Sequence, residues 1–275
     1  MGNSTILKEE QVWGNEQHAY LKEKGTCCQP TSLAMILGGV TKEDIEKSPD
    51  KRSWWWITSS SYGDGDVRYV SKDGSKNWYR TDYRAGVVRP ALLSSSKISS
   101  SPRTGVRGKG WYEVTYGEYP TNVVNDSTRN TLERNLRGLT RTGKTYTFDT
   151  HKWNDGDEAY SPTSYDEYEQ NGKRYVRIEC YAFTEKSFEL LDGMSHKNGD
   201  AIWLEVEPVK FAVDEKTGIA LAVDGLYSGI QMLDRGGKYD GDFSKTRQKK
   251  YLDEVFEKNI EPSRTQNRRR FFTSR

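Results

Sequence analysis

Arg52–Leu93 reads RSWWWITSSSYGDGDVRYVSKDGSKNWYRTDYRAGVVRPALL. SWWWITS, VRYVSK and GVVRPALL each read as strands, separated by the turn signals GDGD and DGS. Pro90 lacks an amide hydrogen, so it needs a bulge, a strand end or an edge. Side chains alternate along a strand, so Trp54 and Trp56 share one face and Trp55 takes the other. The three tryptophans are expected to be structural. Between the strands lie mostly Tyr, Ser, Gly, Asp, Asn and Arg. Tyrosine offers large contact area at low entropy cost, and small polar residues adapt their hydrogen bonds. The expected ligand contacts are Tyr62, Asp64, Asp66, Arg68, Tyr69, Asn77, Trp78, Tyr79, Arg80 and Tyr83.

The 275 residues suffice for one large or two small domains. Hydrophobic residues are 33% and charged residues 30%, a polar balance. Aromatics at 12% argue against disorder, because they supply core area. The net charge of +2 comes from 42 basic and 40 acidic residues, so nothing global points to nucleic acid. The tail PSRTQNRRRFFTSR is basic, and short basic tails are usually solvated. No stretch approaches the length of a membrane span, and MGNSTILKEEQ lacks the regions of a secretory signal. The expectation is an unprocessed chain in the cytoplasm. Cys27, Cys28 and Cys180 cannot build a disulfide framework and are expected as free thiols.

Elsewhere the chain mixes short helices and strands, which makes the expected fold class α+β. EEQVWGNEQHAYLKEKG and PTSLAMILGG read as helices, the second with Pro30 in its first turn and Gly38–Gly39 as a stop. Residues 94–110, rich in Ser, Gly and basic side chains, read as a linker. WYEVTYGEYP alternates like a strand that Pro120 breaks. NDSTRNTLERNLRGL is a capped helix with Leu132, Leu136 and Leu139 on one face. TGKTYTFD and NGKRYVRIECYAF are strands, the second led by an Asn-Gly turn. Residues 146–171 read as an acidic loop. DAIWLEVEPVKFAVDEKTGIALAVDG gives two strands joined at DEKTG, and KTRQKKYLDEVFEKNI an amphipathic helix.

The order WYEVTYGEYP, NGKRYVRI, IWLEVEPVKFAVDEKTGIALAVDGLYSGIQM and YDGDF before a helix resembles the opening half of a domain family. That family is an uncharacterised bacterial and phage one, C-type-lectin-like and of the formylglycine-generating-enzyme (sulfatase-modifying) type. WWWITSS, DVRYVSKDG and GVVRPAL resemble its closing half, with ITSS where the family carries LRSP. The resemblance covers about two thirds of the chain, with the halves in reversed order: closing half 1–93, opening half 111–262, tail 263–275. It implies a C-type-lectin-like domain in which the first and last strands lie side by side. A circular permutation fits this order, because 17 linker residues extend to roughly 55 Å. The other arrangement is the end of one tandem repeat followed by the start of the next, which would expose sheet edges. The resemblance also implies ligand recognition on the loops of 58–83. The formylglycine-generating relatives oxidise cysteine at a copper site built from a cysteine pair; no pair here matches it, so that activity is not carried over.

An enzyme reading rests on GTCCQPTSLAMIL, which resembles the nucleophile segment of papain-like bacteriocin-processing peptidases. Cys28 would be the nucleophile, its thiol activated at a helix N-terminus, and His151 in THKWND the nearest candidate base. His18 and His196 lack the expected context. WND at Trp153–Asp155 matches a calcium-site tripeptide of animal C-type lectins, but its partner tripeptide is missing. YGDGD and YDGDF read as turns, and no pattern calls for zinc or a phosphate loop. The sequence therefore leads to a protein- or glycan-recognition domain without metal or cofactor. The alternatives are a cysteine hydrolase, or a structural repeat fragment of a larger bacterial or phage surface protein that assembles with homologous domains.

Overall fold

The long hairpin around DEKTG organises the molecule. In the computed structural model, residues 4–13, 28–47, 53–60, 65–93, 98, 101–107, 110–148, 163–179, 188–197, 199–233 and 236–260 are described. The elements in chain order are β1 (Ser4–Thr5), α1 (Glu9–Trp13), α2 (Ser32–Gly38) and α3 (Lys42–Glu46). Next come β2 (Trp55–Ser60), β3 (Val67–Val70), β4 (Lys76–Tyr79), β5 (Ala91–Leu92), β6 (Arg103–Val106) and β7 (Trp111–Val123). Then follow α4 (Asp126–Asn135), β8 (Thr140–Phe148), β9 (Thr163–Gln170) and β10 (Lys173–Glu179). The last are β11 (Phe188–Glu189), β12 (Ser195–His196), β13 (Ala201–Asp214), β14 (Ala220–Ala222), α5 (Arg247–Tyr251) and α6 (Glu257–Ile260). The fold is mixed α+β, with short strands and flanking helices.

The apolar strand β13 is the axis of a nine-stranded sheet. Along one side it pairs with β7 from Leu204 opposite Val123 to Asp214 opposite Trp111. Along the other it takes β10 at its start and β14 at its end. The sheet continues through β14 to β5 and β1, so strands from both sides of residues 94–110 are hydrogen-bonded into it. The core is shared in the same way. Trp56, Val88 and Leu92 cluster with Tyr112, Val114, Phe211 and Phe256. Trp55, Val87 and Ala91 cluster with Trp111, Ala212 and Leu221 on the opposite face.

Several local expectations change. Pro120 does not end a strand: β7 runs through it, and Pro120 lies opposite Val206 at a register shift, where a missing donor is tolerated. Pro30 stands outside α2, whose cap is Thr31, its hydroxyl accepting from the Ala34 amide. Gly39 ends α2 with φ 64°. Within the segment read as a linker, Arg103–Val106 forms β6 along β7. The acidic stretch contains β9, which pairs with both β8 and β10. The closing helix is interrupted by a π turn over Leu252–Phe256, which keeps Leu252 and Phe256 buried. The helical reading past Trp13 falls outside the described residues.

Candidate binding surface

β2, β3 and β4 form a separate antiparallel sheet in that order. Its inner strand is fixed by the tryptophans. Trp55 lies opposite Val70 and Trp56 opposite Tyr69, and both indoles are fully buried. Trp54 and Trp56 meet edge-on at 5.0 Å, while Trp55 packs in the other cluster, as alternation requires. Gly86 permits this packing: a Cβ there would stand 1.9 Å from Trp56 Nε1. The sheet is also held from outside. The Tyr239 hydroxyl donates to the Thr58 carbonyl, and the Tyr239 amide to that of Gly65. Thr81 donates through its hydroxyl to the Gly237 carbonyl and accepts at its own carbonyl from the Met232 amide. The buried Arg84 donates to the Gly229 carbonyl.

The expected contact residues divide between the two faces of this sheet. Val67 pairs with Tyr79 and Tyr69 with Asn77, so these share a face; Arg68 pairs with Trp78 on the other. The first face carries a chain of rings running from core to solvent. Trp54 lies 4.6 Å from Tyr69 and stacks on Tyr83 at 5.9 Å; Tyr83 lies 4.2 Å from Tyr79. Trp56 is enclosed, Trp54, Tyr69 and Tyr83 are half-buried, and Tyr79 is 40% exposed. Burial, then the neighbouring Tyr79 and Asp73, pushes the Tyr69 phenol above its ordinary range, so it remains a hydrogen-bond donor. Arg80 leads off the strand and is held flat by two bonds to Asp82, at 2.9 and 2.7 Å. Such a pair fixes a guanidinium plane just past the end of β4.

The second face is charged. Glu9 on α1 receives Arg68 at 3.0 Å and Lys76 at 2.8 Å, and the Lys76 ammonium lies 5.1 Å from the Trp13 ring. Trp78 emerges here with 53% of its surface exposed. Of the remaining expected contacts, Asp66 lies half-buried just ahead of β3, while Tyr62 and Asp64 fall outside the described residues. Trp54, expected with its neighbours to be structural, packs half-buried against Tyr69 and Tyr83 in the aromatic chain. Lys76, Asp82, Glu9 and Trp13 also shape the surface. Glu9 and Trp13 come from a distant segment, so no local pattern could place them there.

Other candidates sit elsewhere. Cys28 is 4% exposed and bridges Ser53, three residues ahead of the α2 cap rather than in its first turn. His151, Cys27, Cys180 and the WND tripeptide lie outside the described residues. Asp240 and Asp242 in YDGDF cap a turn: Asp242 accepts from Ser244, and Lys245 binds both carboxylates. Among the described residues no group of three or more His, Cys, Asp or Glu could hold a metal. A polar cleft of about 540 Å3 lies at the β7–β13 irregularity, between Thr31, Asn122, Glu207, Lys210 and Asp224. Burial raises the Asp224 carboxyl despite the nearby Arg89. No described helix is long and apolar enough to cross a membrane.

Comparison with protein-family models, with curated proteins and with solved structures returns no match for this chain.

Proposed function

We propose that the chain is a non-catalytic recognition domain that binds a protein or glycan ligand on the aromatic face of the β2–β3–β4 sheet. The observation that carries this is the Trp54–Tyr69–Tyr83–Tyr79 chain of rings, exposed at its outer end and anchored in the core at its inner end. Exposed aromatic rings on a rigid support give contact area without a large ordering cost. The Tyr hydroxyls beside the rings, and the flat Arg80–Asp82 pair past the end of β4, supply directional hydrogen bonds. The scaffold proposed is C-type-lectin-like, with the family's closing half ahead of its opening half. The hydrogen-bonding of β5 into the β13–β14 sheet supports this, since it joins the VRPAL strand to the second half of the chain.

The test is a glycan and protein array probed with the wild-type chain, followed by titration of the hits against Tyr79→Ala and Tyr83→Ala. Each substitution is expected to weaken binding about tenfold or more, in the range of aromatic contacts at an interface centre. Far-UV circular dichroism should stay unchanged, because Tyr79 is exposed and Tyr83 half-buried. Undiminished affinity in both variants would remove the aromatic face from the reading.

A further inference from the structure

Among the described residues the outer edge of the same sheet is unpaired, and the β3–β4 turn sets its hydrogen-bond phase. The Ser71 amide donates to the Ser75 carbonyl at 2.8 Å, which closes the β3–β4 turn on a hydrogen-bonded pair. In an antiparallel ladder bonded and non-bonded pairs alternate. Val70–Lys76 and Arg68–Trp78 are therefore the non-bonded pairs, and Tyr69–Asn77 and Val67–Tyr79 the bonded ones. The backbone groups of Lys76 and Trp78 consequently point away from β3. The Trp78 amide accordingly donates to its neighbour's Asn77 Oδ1 at 2.9 Å, not to β3. No described strand lies beyond β4, and the four residues of β4 are exposed. No proline or bulge protects this edge; its defences are its short length and Lys76.

We propose that β4 pairs antiparallel with β4 of a second copy of this chain, about a two-fold axis at Asn77. Three registers place the outward groups of both strands in phase near their centre. An axis at Lys76 sets two ammonium groups opposite each other, and an axis at Trp78 sets Lys76 opposite Arg80 of the other copy. Like charges directly opposed are unfavourable. The axis at Asn77 sets Lys76 opposite Trp78 twice, with both pairs in bonded phase and on one face. An ammonium against an indole is attractive, and Lys76 already lies beside the Trp13 ring in the monomer. Pairing passes the Trp78 amide from Asn77 Oδ1 to the Lys76 carbonyl of the other copy, and the two Asn77 amides then bond each other at the axis. The aromatic face stays uncovered, so the dimer presents two copies of the recognition surface on one continuous sheet, a route to avidity.

Four residues per strand bury less than a permanent interface, so the association is weak, with a dissociation constant on the order of 0.1–1 mM. Sedimentation equilibrium from about 10 μM to 1 mM tests it. The weight-average mass of the 31.6 kDa chain should rise toward twice that value. Trp78→Lys should stay monomeric throughout, with circular dichroism confirming the fold. The exchange K76W/W78K should restore dimerisation, since it restores an indole opposite an ammonium only in this register. A wild-type chain monomeric at 1 mM, a Trp78→Lys chain that still dimerises, or an exchange that fails to rescue a folded chain would each overturn the proposal. Array binding is read separately on Tyr79 and Tyr83, so a failed dimer leaves the recognition reading standing.

Discussion

His196 in β12 is 0% exposed, and among the described residues neither of its ring nitrogens has a hydrogen-bond partner. Its imidazole lies 5.6 Å from the Phe188 ring. Burial holds its pKa below the ordinary histidine value; Arg129 acts in the same direction, while Asp192, Asp200 and Asp126 oppose it. The sign follows from proton counting. Below about pH 6.5 the unfolded histidine gains a proton that the folded one refuses. The unfolded state then binds more protons, so stability is full above that pH and falls as the pH drops toward the folded pKa. The slope is at most about 1.4 kcal/mol per pH unit. Asp192 acts with the opposite sign, because partial desolvation raises its carboxyl and ionisation on raising the pH disfavours the fold. Urea midpoints measured from pH 7.5 to 5 should fall for the wild type relative to His196→Leu, which lacks the histidine's contribution. Parallel curves would show that His196 is not enclosed as described.

At the scale of elements, the closing helix shows how one glycine sets a docking distance. Gly117 has φ 63°, and a Cβ there would lie 2.0 Å from the Ile260 carbonyl oxygen. The same contact is tied by the Lys144 ammonium, which donates to the Asn259 carbonyl, and by the Tyr119 and Tyr251 hydroxyls at 3.1 Å. Gly117→Ala combines left-handed strain with a clash against backbone, and should cost about 2–4 kcal/mol in urea unfolding. Gly110→Ala is the control: φ is 79° but nothing lies within 4 Å, so only the backbone cost of about 1 kcal/mol applies. Equal losses in the two variants would refute the docking argument.

Elements with local signals were legible in the sequence. The Asn171–Gly172 turn has the positive φ values its residues favour, 53° and 79°. Asn125 caps α4 as its position implied, accepting from the Thr128 amide. β9 was not legible, because TSYDEYEQ carries no aliphatic residue. It is fixed instead by Glu167, 2% exposed, which receives the hydroxyls of Thr142 and Tyr146 and lies 3.8 Å from Arg174. A carboxylate looks like a solvated residue until its partners are known, and these come from two other strands. β6 was hidden for a related reason: all four residues are exposed, and only the neighbouring β7 makes RTGV a strand. The aromatic face was half legible. The residue types were evident, but the division of Tyr79 from Trp78 depends on the register of a single turn.

At the scale of the molecule, the two sides of residues 94–110 complete one another. β5 lies between β1, from its own side, and β14, from the other. The Thr31 amide donates to the Gly225 carbonyl, the Val88 amide to that of Tyr227, and buried Arg89 to that of Ala222. Neither side could bury Trp56, Val88, Phe211 and Leu221 alone, since each would leave the others' partners in water. The backbone groups at these seams would also lose partners that water replaces only when the seam opens. A protease site placed at Ser99–Ser100 should therefore yield a nicked chain that elutes as a single species. It should unfold in one transition by both tryptophan fluorescence and far-UV circular dichroism. The two pieces, separated in denaturant and refolded singly, should show no cooperative transition, and mixing them should restore it. Two pieces that each refold with their own midpoint would mean independent units.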